Sequence, residues 1–289
     1  MMHVVLGGTG QVGSAVARAL LNRGEPVTIV TRNAGHGKEL HDAGAAVAVV
    51  DVRDVEALRK VFRAGRRAFL LNPPASPTTD TDAEERASAA AIVEALEGSG
   101  LEKVIAASTY GARPGERCGD LTVLHEFEQR LKAQSIPAAI NRGAYYMSNW
   151  AEMLDVVRES KALPSFFPAN MTIPMVAPQD LGEAAARRLL EPVEECGLHY
   201  VEGPEGYSPR DVADAFSEAL SQKVDVMVTP REEWTATFLR IGFSPAAAES
   251  YARMTGTVIA DGPEKPVEPE RGRVTLRKYI LDIMCESKQ

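Results

Sequence analysis

The stretch that decides the fold is His3-Val-Val-Leu-Gly-Gly-Thr-Gly-Gln-Val-Gly-Ser-Ala-Val-Ala-Arg-Ala-Leu-Leu21. The apolar run His3 to Leu6 suits a buried strand, and Ser14 to Leu21 carries apolar residues at helical spacing. The glycines between them therefore lie at a strand-to-helix turn, where the N–H groups of a helix N-terminus can bind phosphate. The residues expected to cradle a dinucleotide pyrophosphate are Gly7, Thr9, Gly10, Gln11, Val12 and Gly13.

Three of these glycines have separate physical roles. Gly7 permits the tight turn, and Gly10 lets the backbone approach a pyrophosphate with no Cβ in the way. Gly13 lets the new helix pack closely on the strand. The pattern predicts dinucleotide binding because a strand precedes it and a helix follows it.

The composition is that of a soluble globular protein. The 289 residues carry a formal net charge of −8, whereas a surface that binds nucleic acid normally shows a basic excess. No run of about eighteen apolar residues is present, so we expect a cytoplasmic protein with neither a nucleic-acid nor a membrane partner. Cys118, Cys196 and Cys285 are odd in number and far apart, which favours free thiols. Cys196 and His199 alone do not make a zinc site, and no metal is expected.

Buried strands alternate with helices through the first half of the chain. This order predicts an α/β fold of the Rossmann type, a doubly wound parallel sheet. After Gly143 aromatic residues and prolines become frequent. We therefore expect an NADP-binding domain at residues 1–143 and a smaller α/β substrate-binding portion at residues 144–289, interleaved with the first. The predicted strands of the sheet are His3–Leu6, Pro26–Thr31, Ala46–Val50, Arg67–Leu71, Lys103–Ala107 and Ala138–Asn141.

The end of the second strand indicates which coenzyme binds. A Rossmann fold that binds NAD places an acidic residue here, about 20 residues past the glycines, on the ribose 2′-hydroxyl. This chain has Thr31-Arg32-Asn33 instead. The guanidinium of Arg32 can bind a 2′-phosphate through charge-assisted bonds, which predicts NADPH. The alternative is that Arg32 is a solvated loop cation.

Other residues at the carboxyl ends of strands are expected beside the coenzyme, since ligands of open α/β sheets bind there. Two of them follow the third strand, three end the fourth, and one ends the fifth. They are Asp51, Val52, Leu71, Asn72, Pro73 and Ser108. For Ser108 the alternative is a serine that only forms the turn.

Five motifs in order resemble the NmrA-like family of atypical short-chain dehydrogenases and reductases. They are Gly7-Gly-Thr-Gly-x-x-Gly13, Thr31-Arg-Asn33, Asp51-Val-Arg-Asp54, Asn141-Arg-Gly-x-Tyr-x-x-x-Asn149 and Gly203-Pro-Glu205. Leu124-His-Glu-Phe-Glu128 and the segment Tyr145 to Asn149 are most similar to the branch of quinone, triphenylmethane dye and azo dye reductases. The resemblance covers nearly the whole chain and implies an NADPH-dependent oxidoreductase.

The catalytic pair of ordinary short-chain dehydrogenases is absent from the sequence. Those enzymes use a tyrosine with a lysine four residues later, and none of the seven tyrosines here has one. Isoflavone reductase-like members of the family carry a lysine where this chain has Thr122, Val123 and Leu124. We therefore expect hydride transfer to an acceptor that needs little acid assistance, such as a quinone or an azo or triphenylmethane dye.

The remaining candidates concern the acceptor. His125 is the predicted general acid, since its unperturbed pKa lies near neutrality; the alternative is a polar residue in the first turn of a helix. Tyr145, Asn149, Trp150, Phe166 and Phe167 are expected to wall a flat aromatic pocket, although each could instead be core. The predicted partner is a small aromatic or quinonoid molecule, and the protein is expected to be a monomer or homodimer.

A second class of function stays open at this stage. Namesake members of the family bind dinucleotides and act as regulators or redox sensors through partner proteins. Such a member would also lack a catalytic lysine or a tyrosine–lysine pair. The sequence by itself separates this non-enzymatic NADP(H)-binding protein from a reductase poorly.

Overall fold

A computed structural model describes residues 2–286. The strands of this described part, in chain order, are β1 His3–Val5, β2 Val27–Thr31, β3 Ala46–Val49, β4 Arg67–Leu70, β5 Lys103–Thr109, β6 Ala138–Gly143, β7 Tyr145–Tyr146, β8 Ala162–Ser165, β9 Ile173–Val176, β10 Gly197–Glu202, β11 Gly206–Tyr207, β12 Asp225–Val228 and β13 Glu270–Arg271.

The helices cover both faces of the main sheet and most of the C-terminal half. They are α1 Gln11–Leu21, α2 Lys38–Asp42, α3 Val55–Ala64, α4 Thr81–Leu96, α5 Asp120–Ala133, α6 Ser148–Ala151, α7 Leu154–Ser160, α8 Pro178–Leu190, α9 Pro209–Leu220, α10 Trp234–Arg240, α11 Pro245–Asp261 and α12 Leu276–Glu286. Short 3₁₀ turns at Ala34–Gly37 and Arg231–Glu233 precede α2 and α10. Between residues 2 and 286 no helix has the length and apolar character to cross a membrane.

The main sheet has eight strands in the order β13-β10-β6-β5-β4-β1-β2-β3. Every neighbouring pair in it is parallel. The doubly wound parallel fold expected from the sequence is therefore confirmed. The chain order reverses at β1, which lies between β2 and β4, and this reversal opens a crevice at the carboxyl ends of the strands.

The glycine turn has the geometry its sequence predicts. Gly7 adopts a φ of +63°, in the left-handed region that favours glycine. A Cβ on Gly13 would collide with the carbonyl oxygen of Gly7, so only glycine fits where the helix crosses the turn. α1 begins at Gln11 rather than Ser14, because Gly10 is already its N-cap.

One predicted element was wrong, and one element was not predicted. The segment at Ala46–Val50 is not a buried strand: β3 is the sheet edge, and Val49 is 53% exposed. The element not predicted is the 17-residue helix α11. Its start signal is nevertheless in the sequence, because Ser244 is the N-cap and Pro245 occupies the first turn, as Ser208 and Pro209 do in α9.

The C-terminal half contributes two strands to the main sheet and one helix to its surface. α8 packs on α1 so closely that a Cβ on Gly182 would lie 2.5 Å from the carbonyl carbon of Ala15. β10 pairs with β6, and β13 pairs with β10. The remaining C-terminal strands form a three-stranded sheet and a two-stranded sheet, packed on a second core that includes Met147, Phe216 and Ile280.

Candidate functional site

The crevice at the carboxyl ends of β1, β2 and β4 gathers the residues predicted for the coenzyme. They come from separate loops, which the parallel register brings to one edge of the sheet. Residues Gly7 to Gly13 follow β1, Arg32 follows β2, and Asp51 and Val52 follow β3. Leu71, Asn72 and Pro73 follow β4, whereas Ser108 is the last residue but one of β5.

The phosphate cradle is held by contacts within the protein. The Gly10 N–H donates to the Gly7 carbonyl at 2.8 Å, which closes the turn. The hydroxyls of Thr9 and Thr31 lie 3.1 Å apart and join the loop to the end of β2. No side chain caps α1, so its first-turn N–H groups can receive an anion. These features fit a dinucleotide pyrophosphate.

Arg32 lies directly after β2, where the sequence predicts a contact with the 2′-phosphate of a coenzyme. Its side chain is exposed and makes no ion pair within residues 2–286. Asn33 fixes the turn behind it, because its side chain accepts the Gly35 N–H at 2.9 Å. The Asp51 carboxylate accepts the Arg53 N–H at 2.9 Å. The cationic group at the end of β2 is therefore Arg32, which suits a 2′-phosphate better than a 2′-hydroxyl.

Ser108 belongs to a buried polar network. Its hydroxyl donates to Glu128 Oε1 at 2.6 Å, and Arg142 donates to both oxygens of the same carboxylate at 2.8 and 3.0 Å. Ser108 and Glu128 are 2% and 1% exposed, respectively. The network joins the carboxyl-terminal ends of β5 and β6 to Glu128 on α5.

Sequence reasoning missed a group of carboxylates on α4 and at the start of α5. Asp82 and Glu85 on α4 are 1% and 4% exposed, and Asp120 begins α5. Burial raises the pKa of Glu85 to about 8, with the charges of Asp120 and Asp82 acting in the same direction. Only their convergence in space marks these residues, because α4 reads in the sequence as an ordinary alanine- and glutamate-rich helix.

Tyr145 anchors the predicted aromatic wall. Its ring centroid lies 5.7 Å from that of Trp150 and 5.5 Å from that of Phe167. Burial raises the pKa of its hydroxyl to about 12, although a hydrogen bond with Asn149 opposes the shift. Trp150 and Phe167 are 4% and 9% exposed, so they support the wall from the core side.

Phe166 belongs to a different aromatic cluster, and His125 lies on α5. Phe166 stacks on Phe238 at 4.4 Å, in a satellite cluster built by α10 and α11. His125 is half-buried on α5, and its Nδ1 is buried without a partner among the described residues. Its role as an acid stays a prediction.

The residues described form no cluster of three or more histidine, cysteine or acidic side chains able to hold a metal ion. The three cysteines are free, as predicted.

Comparisons with known proteins agree with the geometry. An NAD(P)H azoreductase of Xenophilus azovorans is 23% identical over 86% of this chain and 84% of its own. A nitrogen metabolite regulation-like protein of Gibberella fujikuroi is 26% identical over 77% of this chain and 69% of its own. The structure of Citrobacter sp. triphenylmethane reductase complexed with NADP(H) has a TM-score of 0.79 at 21% identity, covering 98% of this chain and all of that one. The family model that matches residues 3–276 is that of the NmrA-like family, and the chain belongs to this family.

Proposed function

We propose that this protein is an NADPH-dependent reductase that transfers hydride to an activated flat acceptor. The observation that carries the proposal is the pairing of the Gly7–Gly13 cradle with the unpaired Arg32 at the end of β2. A named azoreductase and a named triphenylmethane reductase among the similar proteins support the same class of reaction. The acceptors that fit are quinones, azo dyes and triphenylmethane dyes.

Each part of the crevice has a role in this reaction. The first-turn N–H groups of α1 hold the pyrophosphate, and Arg32 holds the 2′-phosphate. The Ser108–Glu128–Arg142 network and Leu71 position the nicotinamide end. When bound, NADPH supplies the hydride. Tyr145 and Asn149 contact the acceptor, while Trp150 and Phe167 keep the wall apolar.

The sequence restricts which acceptors are suitable. No tyrosine of the chain has a lysine four residues later, so an unactivated ketone would lack the usual proton donor. A quinone or a conjugated dye accepts hydride more readily because the resulting charge is delocalised. The apolar wall selects such acceptors by flatness rather than by hydrogen bonds, so several related molecules should react.

A regulator that senses the NADPH level is the second candidate. The similarity to a protein named for nitrogen metabolite regulation favours it, and the same cradle would serve both functions. The two differ in turnover. A regulator binds the coenzyme without oxidising it when an acceptor is present.

The test combines binding with turnover. The protein is titrated with NADPH, and the nicotinamide absorbance is then followed with a panel of quinones, azo dyes and triphenylmethane dyes. A reductase gives saturable NADPH oxidation well above the rate in buffer. Tight NADPH binding with no acceleration by any acceptor would replace the reductase by the sensor.

A further inference from the structure

Glu85 ties α4 to the loop that follows β4. Its Oε1 accepts the N–H of Ala75 at 3.0 Å, and its backbone carbonyl accepts the side-chain amide of Asn72 at 3.1 Å. The loop from Leu71 to Ala75 leaves the carboxyl end of the strand next to β1. In an open α/β sheet this position borders the crevice that receives the ligand. The Glu85 carboxyl group is therefore at the coenzyme crevice and not at a remote surface.

Two polar atoms at this place are open to a ligand. Glu85 Oε2 makes no hydrogen bond with any described residue, although the side chain is 4% exposed. Asn72 Oδ1 is a buried acceptor that also lacks a partner in the described part of the chain. Buried polar groups are normally hydrogen-bonded, so the unpartnered Asn72 Oδ1 beside the crevice points to a bound molecule that completes the site.

The surrounding charges keep a proton on Glu85. Asp120 and Asp82 disfavour its ionised form, and Arg86 and the Ala75 N–H favour it. Asp82 has its own partners, because Ser250 and Arg86 donate to its two oxygens. Tyr251 also feels these charges. Burial raises the pKa of its hydroxyl, and four carboxylates act in the same direction: Asp120, Glu85, Asp82 and Glu152. Burial and the acidic neighbours outweigh the one arginine, so the balance favours a neutral Glu85 at neutral pH.

Resting on the reductase function proposed above, we propose that Glu85 donates the proton that a quinone or azo acceptor needs as it takes up hydride. The hydride leaves C4 of the dihydronicotinamide with its electron pair, which oxidises NADPH to NADP⁺ and reduces the acceptor. The Glu85 O–H bond breaks, and its proton goes to the acceptor atom that has gained negative charge. Water then returns a proton to the Glu85 carboxylate. Asp120 is a positioning residue, since its charge acts through Glu85.

The two classes of acceptor make this role testable. A quinone or an azo bond needs a hydride and a proton, whereas a cationic triphenylmethane dye becomes its neutral leuco form by taking hydride alone. A proton donor therefore matters for the first class and not for the second. This contrast separates Glu85 from any residue that merely holds NADPH or keeps the protein folded.

The experiment measures kcat across pH for Glu85→Gln, Asp120→Asn and wild type, with a quinone and with a cationic triphenylmethane dye. Glu94→Gln, an exposed position on the same helix, is the matched control. For Glu85→Gln we expect kcat with the quinone to fall about 100-fold at pH 7 while kcat with the dye changes less than about twofold. Asp120→Asn should move the alkaline fall of the quinone rate to lower pH, because it removes a charge that favours the protonated form.

Each outcome has a distinct meaning. Equal losses with quinone and dye, or no loss with either, would overturn the role of Glu85 while leaving the reductase function intact. A quinone-selective loss in His125→Gln and not in Glu85→Gln would assign the proton to His125. No NADPH oxidation by wild type with any acceptor would overturn the proposed function itself. If Glu85→Gln unfolds, the pH shift of Asp120→Asn decides, because a purely structural residue would not move the profile.

Discussion

At the scale of the residue, tolerance to change depends on what surrounds the side chain. Gly13 has the Gly7 carbonyl against it, so any larger residue would displace the turn. Arg32 is exposed and packs on no core, and its removal should alter coenzyme binding alone. Glu85 is the opposite case, because its burial changes its protonation and therefore its chemistry.

Arg32→Ala should weaken NADPH binding selectively. Loss of charge-assisted bonds to the 2′-phosphate should raise the Kd for NADPH about 10- to 100-fold while that for NADH changes less than about twofold. Fluorescence titration of both coenzymes measures this. Arg66→Ala, an exposed arginine at the opposite edge of the sheet, is the control. Equal losses for both coenzymes would remove Arg32 from the 2′-phosphate site.

Glu85→Gln should make thermal stability less sensitive to pH. The pKa of Glu85 is raised from 4.5 to about 8, so between these values the folded chain holds a proton that the unfolded chain has released. The contribution of this group to stability therefore falls as the pH rises through that window. Glutamine cannot ionise, so the Tm of the variant relative to wild type should rise from pH 5 to pH 9. A constant difference, as expected for Glu94→Gln, would contradict the raised pKa.

At the scale of the element, capping residues in the sequence indicate where a helix begins, but they do not indicate which helices pack against each other. Asp54 is the N-cap of α3, and its side chain accepts the Ala57 N–H at 3.0 Å. Ser208 with Asp211 forms a capping box at the start of α9. The packing of α8 against α1 had no such signal, because Gly182 looks like any glycine in a helix until Ala15 is placed against it.

Gly182→Ala tests that helix contact. Alanine in place of glycine favours a helix by about 1 kcal/mol, but here its Cβ would overlap the backbone of α1. Overpacking of this kind costs about 1–3 kcal/mol, so we expect a net loss of stability in urea unfolding. Gln179→Ala, at an exposed position of the same helix, should be neutral. A stabilised Gly182→Ala protein would mean that the two helices are farther apart.

At the scale of the whole molecule, the two halves share one sheet. β10 and β13 extend the sheet built by the first half, and α8 covers α1. A buried cation links the two halves of the chain. Lys103 of β5 donates hydrogen bonds to the carbonyls of Arg188 in α8 and of Pro192 just after it, both at 2.9 Å. Burial lowers the pKa of this lysine, and the two carbonyls compensate by accepting hydrogen bonds from its ammonium group.

A fragment of residues 1–143 should not fold by itself. Without α8 the apolar face of α1 would be exposed, and β6 would become a bare edge. We expect no cooperative thermal transition and no NADPH binding by the fragment, measured by circular dichroism and fluorescence beside the full chain. A cooperative transition would show that the first half is an autonomous domain.

The sequence by itself determined the strand–glycine–helix unit, the alternation of strands and helices, and the cation at the end of β2. These depend on periodicity, on caps and on glycines that no other residue can replace, all of which are local. The edge position of β3, the return of the second half into the sheet, and the meeting of Glu85, Asp82 and Asp120 were decided only by the tertiary structure. Burial and the distance between charges on different elements exist only once the chain has folded. For that reason the glycine turn could be predicted from the sequence, and the group of buried carboxylates on α4 could not.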